Sequence, residues 1–585
     1  MIYCTFAVVT SKKSMSESIV ENLSGESSLN CYVSQITFNN GEVLDVAQND
    51  IIIFVGPNNA GKSQSLKDIY TLMEKDIPTT VVKKIDVVKT GTQNFKELAE
   101  RISFSQNNGS YINYQGYGYS FNSYFIDQFS RDKSLGEARG LFVSYLDTEN
   151  RLMICNPPNA INEGEVKQHP IHYIVSEPDY RKLISDNFKR AFGKELIPHT
   201  SFGRQIPLCI GEAVHLDYSH FTDMQECLEA YRGILNTYAQ VQKQGDGIRS
   251  FTGVLLNLII KTYCTYLIDE PESFLHPPQA KIMGHVIGSL LDERQQAFIS
   301  THSQDIIKGL LEVCPERIKI VRITREGDVN NFAILKNEQF DLIWKDPLLK
   351  YSEIMNSLFH KSVVLCESDS DCRLYSIILS HIKSKSNSFS ETLFIHCGGK
   401  QRMPKVIKAL RALNIKLLVI PDIDILNDEG NIKRIIESCG DDWEKYKLEY
   451  RKLSGNLITP KSFIVRDEAK IGINSIIDDS EEKNLSSKEI ENIISLLKIE
   501  TKWGLIKKGG KESIPNGDAY SAYEKINSQF KSIGVFLVPV GELENFVKGV
   551  GGHGPEWVNK VLETYPNLDD NVYDKIMCFV KSWNL

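Results

Sequence analysis

Short runs of consecutive apolar residues recur along the chain, each ending on a glycine, an acid or a polar turn. Ile51-Ile52-Ile53-Phe54-Val55 is the clearest, and similar runs at 263–268, 297–300 and 318–323 predict further buried strands of the same sheet. Residues 30–75 read as strand, turn, strand, glycine-rich loop and helix, with Asn39-Asn40-Gly41 supplying a hairpin-type turn. A sheet opened before residue 60 and completed after residue 260 draws two distant segments into one domain. Between them, over about 95–245, the pattern is mixed: a Gly/Tyr/Asn/Ser-rich stretch at 107–123, the loop Asn156-Pro157-Pro158-Asn159, then helical spacing over 179–192 and 224–242. This region is expected to be a largely helical insertion, part of it used for dimerisation.

A new alternation follows residues 341–351. Strand 362–366, helix 372–382, strand 393–396, helix 404–413 and strand 416–420 give a βαβαβ pattern, and another apolar run lies at 535–540. A polar, charge-mixed stretch over 424–500 predicts helical surface elaboration, while residues beyond 550 carry no assignable chemistry. The expected organisation is an α/β domain over 1–340 and a second, Rossmann-like α/β domain over 341–585.

Of the 585 residues 42% are hydrophobic and 24% charged, enough apolar material for several cores. No apolar run is long enough to span a bilayer, and the amino terminus lacks the basic-then-apolar pattern of a secretory signal. A soluble, cytoplasmic protein without a membrane partner is expected. The 12 cysteines are scattered singly with no C-x-x-C pair, which argues against a disulfide framework or a zinc site. A net charge of −8 argues against coating nucleic acid through the overall field and leaves room for a local basic groove.

The first strand runs into Gly56-Pro57-Asn58-Asn59-Ala60-Gly61-Lys62-Ser63. Glycines let backbone amides turn inward around phosphate oxygens, Lys62 reaches the terminal phosphates, and the Ser63 hydroxyl is placed for magnesium. Gly56, Asn58, Asn59 and Gly61 complete this candidate ATP cradle. The run at 263–268 ends in Asp269-Glu270-Pro271-Glu272. Asp269 is expected to hold magnesium and Glu270 to polarise the attacking water. A third strand ends in Thr301-His302-Ser303, which puts His302 forward as a γ-phosphate sensor.

In the second half three acidic clusters each follow an apolar run: Glu367-Ser368-Asp369-Ser370-Asp371, Asp422-Ile423-Asp424 and Gly541-Glu542-Leu543-Glu544. Strand ends on one sheet edge converge, and carboxylates brought together there repel unless divalent cations neutralise them. Hard oxygen ligands select magnesium, manganese or calcium, and two such ions suit phosphodiester hydrolysis. Between Lys400 and Lys416 lie Arg402, Lys405, Lys408 and Arg411 with no acid, while Val406, Leu410 and Leu413 make an apolar face; such a helix offers its basic side to phosphates.

Taken together, the phosphate loop, Asp-Glu-Pro-Glu, Ser273-Phe274-Leu275-His276-Pro277 and Ser-Thr-His-Ser resemble the ATP-binding-cassette branch of ATPases that includes SMC-like proteins and the OLD (overcoming lysogenization defect) family. In that branch a glycine-containing signature closes over ATP held by another subunit, and Gly245-Asp246-Gly247 lies where it is expected. The resemblance thus implies trans-acting roles for Asp246 and Gly247 and a homodimer or higher oligomer. The order Glu-x-x-x-Asp, Asp-x-Asp, Gly-Glu-x-Glu resembles the Toprim domain of topoisomerases, primases and OLD nucleases. Carried over, Glu367, Asp371, Asp422, Asp424, Glu542 and Glu544 would be metal carboxylates, with Asp369 a further candidate, and Glu367 and Asp422 catalytic.

Many OLD-like proteins carry a lysine just before the last glycine, where this chain has Val540. Lys507, Lys508 and Lys511, in a Lys-Lys-Gly-Gly-Lys segment, are the candidates to supply that cation, Lys508 foremost. The implied protein is an ATP-regulated DNA endonuclease or nickase using Mg2+ at the ATPase site and Mg2+ or Mn2+ at the Toprim site. The resemblance further implies an anti-phage effector of Gabija or retron type, working with a helicase-like protein or a reverse transcriptase and its nucleic acid. The competing expectation is an SMC-like ATPase scaffold or DNA clamp with an inactive Toprim domain, which Val540 favours. A topoisomerase would need a catalytic tyrosine in a DNA-binding module that the sequence does not single out.

Overall fold

The computed structural model describes residues 29–91, 94–162, 164–260, 262–327, 329–335, 353–388, 390–457, 465–479, 484–497 and 501–585. The chain divides into two compact units, Met1–Phe340 and Asp341–Leu585. The stretch 341–351 expected to join them lies outside the described residues.

In the first unit the fully buried strand β3 (Ile51–Val55) is the centre of a six-stranded sheet. It follows β1 (Asn30–Phe38) and β2 (Val43–Asp45), which pair antiparallel across the turn at Asn39–Gly41, and β4 (Val82–Thr90) pairs with the other edge of β1. The remaining members of the six-stranded sheet are β5 (Val143–Leu146), β6 (Thr265–Asp269), β7 (Gln296–Ser300), β8 (Ile318–Glu326) and β9 (Val329–Leu335). Their order is β9-β8-β3-β7-β6-β5, all parallel except the β8–β9 hairpin. The strands expected after residue 260 thus join β3 as the apolar runs predict. The intervening region holds helices, as expected, together with two small antiparallel sheets and β5, which extends the central sheet beside β6.

Every β3 side chain is buried, as a parallel strand covered on both faces requires, and no alternation marks it in sequence. Helix α1 (Lys62–Glu74) starts where the loop ends, with Gly61 in the left-handed region at φ 104°. Gly56 turns the chain off β3 at φ 144°, and a Cβ there would meet the Ile323 carbonyl oxygen of β8 at 2.0 Å. Only glycine lets the loop leave the sheet so close to the neighbouring strand.

The second unit is built on a parallel three-stranded sheet of β10 (Ser362–Cys366), β11 (Thr392–His396) and β12 (Lys416–Ile420), in the order β11-β10-β12. Helix α4 (Asp369–Lys385) and helix α5 (Met403–Ala412) are the crossovers. The run at 535–540 lies beside β12 through isolated parallel bridges, Val419 to Val535 and Asp422 to Val538, and not as a continuous strand. Pro421 and Pro539 lack the N–H groups that a full ladder needs. In α5, Val406, Leu410 and Leu413 are buried while Arg402, Lys405, Lys408 and Arg411 are exposed, the division its spacing predicts. Helices also occupy much of 424–500, though 458–464, 480–483 and 498–500 lie outside the described residues. Among the described residues no helix is long and apolar enough to cross a membrane.

Gly56→Ala is expected to destabilise the first unit by about 3 kcal/mol, because strain at positive φ adds to a backbone clash. Denaturant unfolding of the variant against wild type measures it; equal midpoints would contradict the close approach to β8.

Candidate functional site

At the carboxyl edge of the first sheet the loop 56–63 surrounds a cavity of about 860 Å³. Asn58, Asn59, Gly61, Lys62, Ser63, Glu270 and His302 line it. Lys62 is buried, its ammonium donating to the carbonyl oxygens of Gly56 at 2.9 Å and Pro57 at 2.8 Å, so the charge is held inside the loop. Asn39, Val81, Arg325 and Asn330 close the other side. These were not legible in sequence: they arrive from the β1–β2 turn, the start of β4 and the β8–β9 hairpin, and no local motif marks them. Asn330 donates from Nδ2 to the Ala60 carbonyl at 2.7 Å and accepts from Asn39 Nδ2 at 3.0 Å, bracing the loop from outside.

Asp269 ends β6 with its carboxylate accepting from the Ser300 hydroxyl at the end of β7. Glu270 follows in the left-handed region at φ 47°, unusual for a residue with a Cβ, and its backbone N–H donates to the Ser300 carbonyl at 3.0 Å. That conformation turns the Glu270 carboxylate into the cavity, where Oε1 is 3.5 Å from His302 Nε2. Burial, helped by the Lys62 charge, pushes the His302 imidazole down to about 4, so near neutrality it is an uncharged partner. The His302 backbone N–H donates to Glu272 Oε1 at 2.6 Å, while Glu272 Oε2 is enclosed without a partner. Burial raises this carboxyl to about 7.

The residue that holds the acid turn is one that the sequence does not advertise. Arg151, fully buried, lies on α2 (Thr148–Met153) just after β5. Its guanidinium donates to the Asp269 carbonyl, to the Glu270 carbonyl at 3.2 Å and to Ser250 Oγ at 3.1 Å. Ser250 belongs to α3 (Asp246–Leu258), the helix opened by the Gly245-Asp246-Gly247 segment. Arg151 thus ties that helix to the acid pair through one rigid fork. Asp246 is half exposed and accepts from Arg249 at 3.0 Å, and Gly247 packs on the Phe274 carbonyl; neither lines the loop cavity of its own chain.

In the second unit the ends of β10 and β12 bring their acids together, and the run at 535–540 leads Glu542 into the field of the same group. Ligand oxygens of Glu367, Asp422 and Asp424 lie within 4.8 Å of one another. Burial first, then Asp371, Glu367, Asp424 and Glu542, hold the Asp422 carboxyl well above the usual carboxylate range, so Glu542 shares the field of the same cluster. Burial and then Asp424 raise Glu367, whose Oε2 is enclosed with no hydrogen-bond partner. Asp371 caps α4, accepting from the Ser368 N–H at 2.9 Å, and is raised by burial with a contribution from Glu544. Glu544 accepts from the Gly554 N–H at 3.0 Å. Asp369 points elsewhere, into an exposed pair with Arg373 at 2.7 Å. An orphaned buried carboxylate oxygen among convergent hard donors fits a divalent cation, which removes the repulsion the acids otherwise impose on one another.

Two lysines reach this cluster. Lys400, after the Gly398-Gly399 turn, lies 3.0 Å from Asp424 Oδ2. Lys507 lies 2.7 Å from Glu542 Oε1 and 3.9 Å from Asp424 Oδ2. It sits on α6 (Lys502–Gly509), so the Lys-Lys-Gly-Gly-Lys segment is a helix end where a loop was expected. Lys507, and not the favoured Lys508, has its ammonium on Glu542. The approach depends on Gly541: at φ 103°, a Cβ there would meet the Lys507 carbonyl oxygen at 2.1 Å.

Residues 358–424 match the family described as overcoming lysogenization defect protein-like, TOPRIM domain. They form an OLD-like Toprim domain. The resemblance read from the Glu367–Asp371 and Asp422–Asp424 motifs is borne out there, as is the α/β class with a phosphate-loop unit ahead of it, while the Gly541–Glu544 motif lies outside the matched residues. The Old nuclease of Escherichia phage P2 is 22% identical over 179 residues, which is 29% of this chain and 29% of that protein. The chain therefore spans less than a third of the length of this curated relative. Among solved structures, an Smc head bound to the C-winged helix domain of ScpA is 12% identical, covering 53% of this chain and 99% of its own at a TM-score of 0.33. An SMC head domain from Thermotoga maritima is likewise 12% identical, covering 53% of this chain and 100% of its own, at a TM-score of 0.28.

Two outcomes follow from the acid turn. On the ATPase reading proposed below, Arg151→Met is expected to lower ATP turnover about a hundredfold while nucleotide binding at the loop stays within about threefold, because the fork donates to the Glu270 carbonyl and does not line the loop cavity. Steady-state hydrolysis and nucleotide-induced thermal shift separate the two effects, and equal losses in both would contradict the positioning role. For Glu272, a folded-state value of about 7 against an ordinary 4.5 means that protonation favours the folded chain. That stability is present below pH 4.5 and lost as pH rises through 7, so the melting temperature of Glu272→Gln minus that of wild type should widen over this window and then level off. A constant difference would show that the carboxyl is not buried in this way.

Proposed function

We propose that the chain is an ATP-regulated, divalent-metal-dependent DNA endonuclease or nickase. The observation that carries this reading is the convergence of Glu367, Asp422 and Asp424, with Glu542 in the same field, inside an OLD-like Toprim domain. Glu367, Asp422 and Asp424 would hold one cation, and Asp371 and Glu544, which bear on one another electrostatically, would share a second. Bound Mg2+ or Mn2+ supplies Lewis acidity toward a phosphodiester and a lowered pKa for water. Around that chemistry Glu367 and Asp422 orient the hydrolytic water, and Lys400 and Lys507 place positive charge where the phosphate becomes more negative. Lys507 takes the part that Val540 leaves open, which favours an active site over an inactive clamp.

In the first unit the arrangement of Lys62, Ser63, Asp269, Glu270 and His302 supports Mg2+·ATP hydrolysis: a cation inside the loop, a carboxylate at the strand end, and an acid that would position water beside a neutral imidazole. Gly56, Asn58, Asn59 and Gly61 would cradle the phosphates. Asp246 and Gly247 do not line the cavity of their own chain, which supports action on a second copy and hence a homodimer or larger assembly. The exposed basic side of α5, beginning at the Gly398-Gly399 turn, supports DNA as the substrate. A role in bacterial defence against phage, with a helicase-like or reverse-transcriptase partner, is inferred from the family resemblance alone.

Supercoiled plasmid incubated with Mg2+ or Mn2+ tests the reading. Wild type should cut; Glu367→Gln and Asp422→Asn should lose at least about a hundredfold in rate, and Lys507→Ala about tenfold to a hundredfold. Lys62→Ala should abolish ATP hydrolysis and alter only the nucleotide dependence of cutting. Intact ATP hydrolysis with no cleavage under either metal would reject the nuclease and leave the clamp.

A further inference from the structure

The connection from α1 to β4, residues 75–81, has neither helix nor ladder of its own, yet its last two residues, Thr80 and Val81, line the phosphate-loop cavity. Val81 lies directly on the loop: a Cβ at Gly61 would stand 3.1 Å from Val81 Cγ2. Asn39 ties the same residues to the β1–β2 turn, its backbone N–H donating to the Val81 carbonyl at 2.9 Å and its Nδ2 to the Thr80 carbonyl at 3.2 Å. The carbonyls of this wall are thereby held, and its N–H groups need an acceptor of their own.

Asp68 is that acceptor. It lies on α1, 3% exposed, and its Oδ2 accepts from three consecutive backbone N–H groups, those of Thr80 at 3.2 Å, Val81 at 2.6 Å and Val82 at 3.0 Å. Its Oδ1 accepts from Gln64 Nε2 at 2.7 Å, and Gln64, one turn earlier on the same helix, lines the cavity too. One buried carboxylate therefore fixes two separate parts of the cavity lining to the helix that follows the loop. A carboxylate shared by three amides is a strong anchor, and its removal leaves those donors unpaired beside the loop.

We propose that Asp68 is a positioning residue for the nucleotide, holding the Thr80–Val81 wall and the Gln64 side chain against the loop and so setting the affinity for a nucleoside triphosphate. The inference rests on the ATPase reading of this cavity. Asp68 acts through the groups it holds: its hydrogen bonds end on Gln64 and on the wall, whereas the acid turn is held by Ser300 and Arg151. A wall that meets the nucleotide before and during hydrolysis stabilises ground state and transition state alike, so its loss weakens binding without slowing the chemical step. The two supports of the site are thus separable: Arg151 governs turnover and Asp68 governs occupancy.

ATP turnover by the full-length chain, measured against ATP concentration in Mg2+, tests this. Asp68→Ala is expected to raise KM about tenfold and to leave kcat within about twofold of wild type, and Asp68→Asn, which keeps one acceptor oxygen, to raise KM about threefold. The milder variant carries the test if Asp68→Ala does not fold. A merely structural loss lowers the folded fraction, and with it kcat, and leaves KM in place. KM equal to that of wild type, or a loss carried by kcat alone, would overturn the inference. Hydrogen exchange reads the anchor without hydrolysis: the amides of Thr80, Val81 and Val82 should exchange about tenfold faster in Asp68→Asn, and unchanged exchange would overturn the anchor. Wild type that turns over no ATP rejects the ATPase reading, while the exchange of these amides still decides whether Asp68 holds the wall.

Discussion

Like charges forced together at the end of a parallel sheet are the constraint on which the second unit depends. Glu367, Asp422 and Asp424 sit closer to one another than unpaired carboxylates tolerate, and the chain answers with two lysines and a capped helix terminus. Lys400 pairs with Asp424 and Lys507 with Glu542, yet Glu367 Oε2 still has no hydrogen-bond partner and burial still holds the Asp422 carboxyl well above the usual range. A site built this way is stable in proportion to the positive charge it holds, so metal affinity and folding are the same free energy read from two directions.

The first unit solves a different problem with a different device. Its acid pair must present Glu270 to a cavity from a left-handed backbone, and such a conformation persists only where the surroundings fix it. Ser300 holds one side and Arg151 the other. A guanidinium is suited to this because its planar fork satisfies several carbonyls at once without losing its charge. Because the same fork reaches Ser250, displacement of α3 cannot leave the acid turn unaffected. Arg317 plays a comparable structural part at the opposite end of the sheet, donating to the carbonyls of Asn49, Leu291, Asp292 and Gln295.

Much of this was legible along the chain because the chemistry is local. The loop 56–63 and the acids after β6, β10 and β12 each lie within a few residues of an apolar run, so spacing alone places them at a strand end. What escaped notice was non-local. Arg151 looks like any arginine in a short polar helix, the sequence reading puts Lys508 ahead of its neighbour Lys507 with no local signal to correct the choice, and Asn39 and Asn330 are separated by nearly the whole unit. Pro421 and Pro539, visible from the start, account for why the run at 535–540 follows β12 without completing a ladder.

The sequence by itself determined the strands, the loop and the identity of the acids, because apolar runs must be buried and polar turns must follow them whatever their neighbours are. Only the tertiary structure decided which cation meets which acid. Lys507 reaches Glu542 because Gly541 leaves room for α6, and Arg151 reaches the backbone carbonyl of Asp269 because β5 pairs beside β6. Those contacts are set by the packing of segments remote in sequence, and charge pairing falls off too steeply with distance for composition or spacing to reveal it.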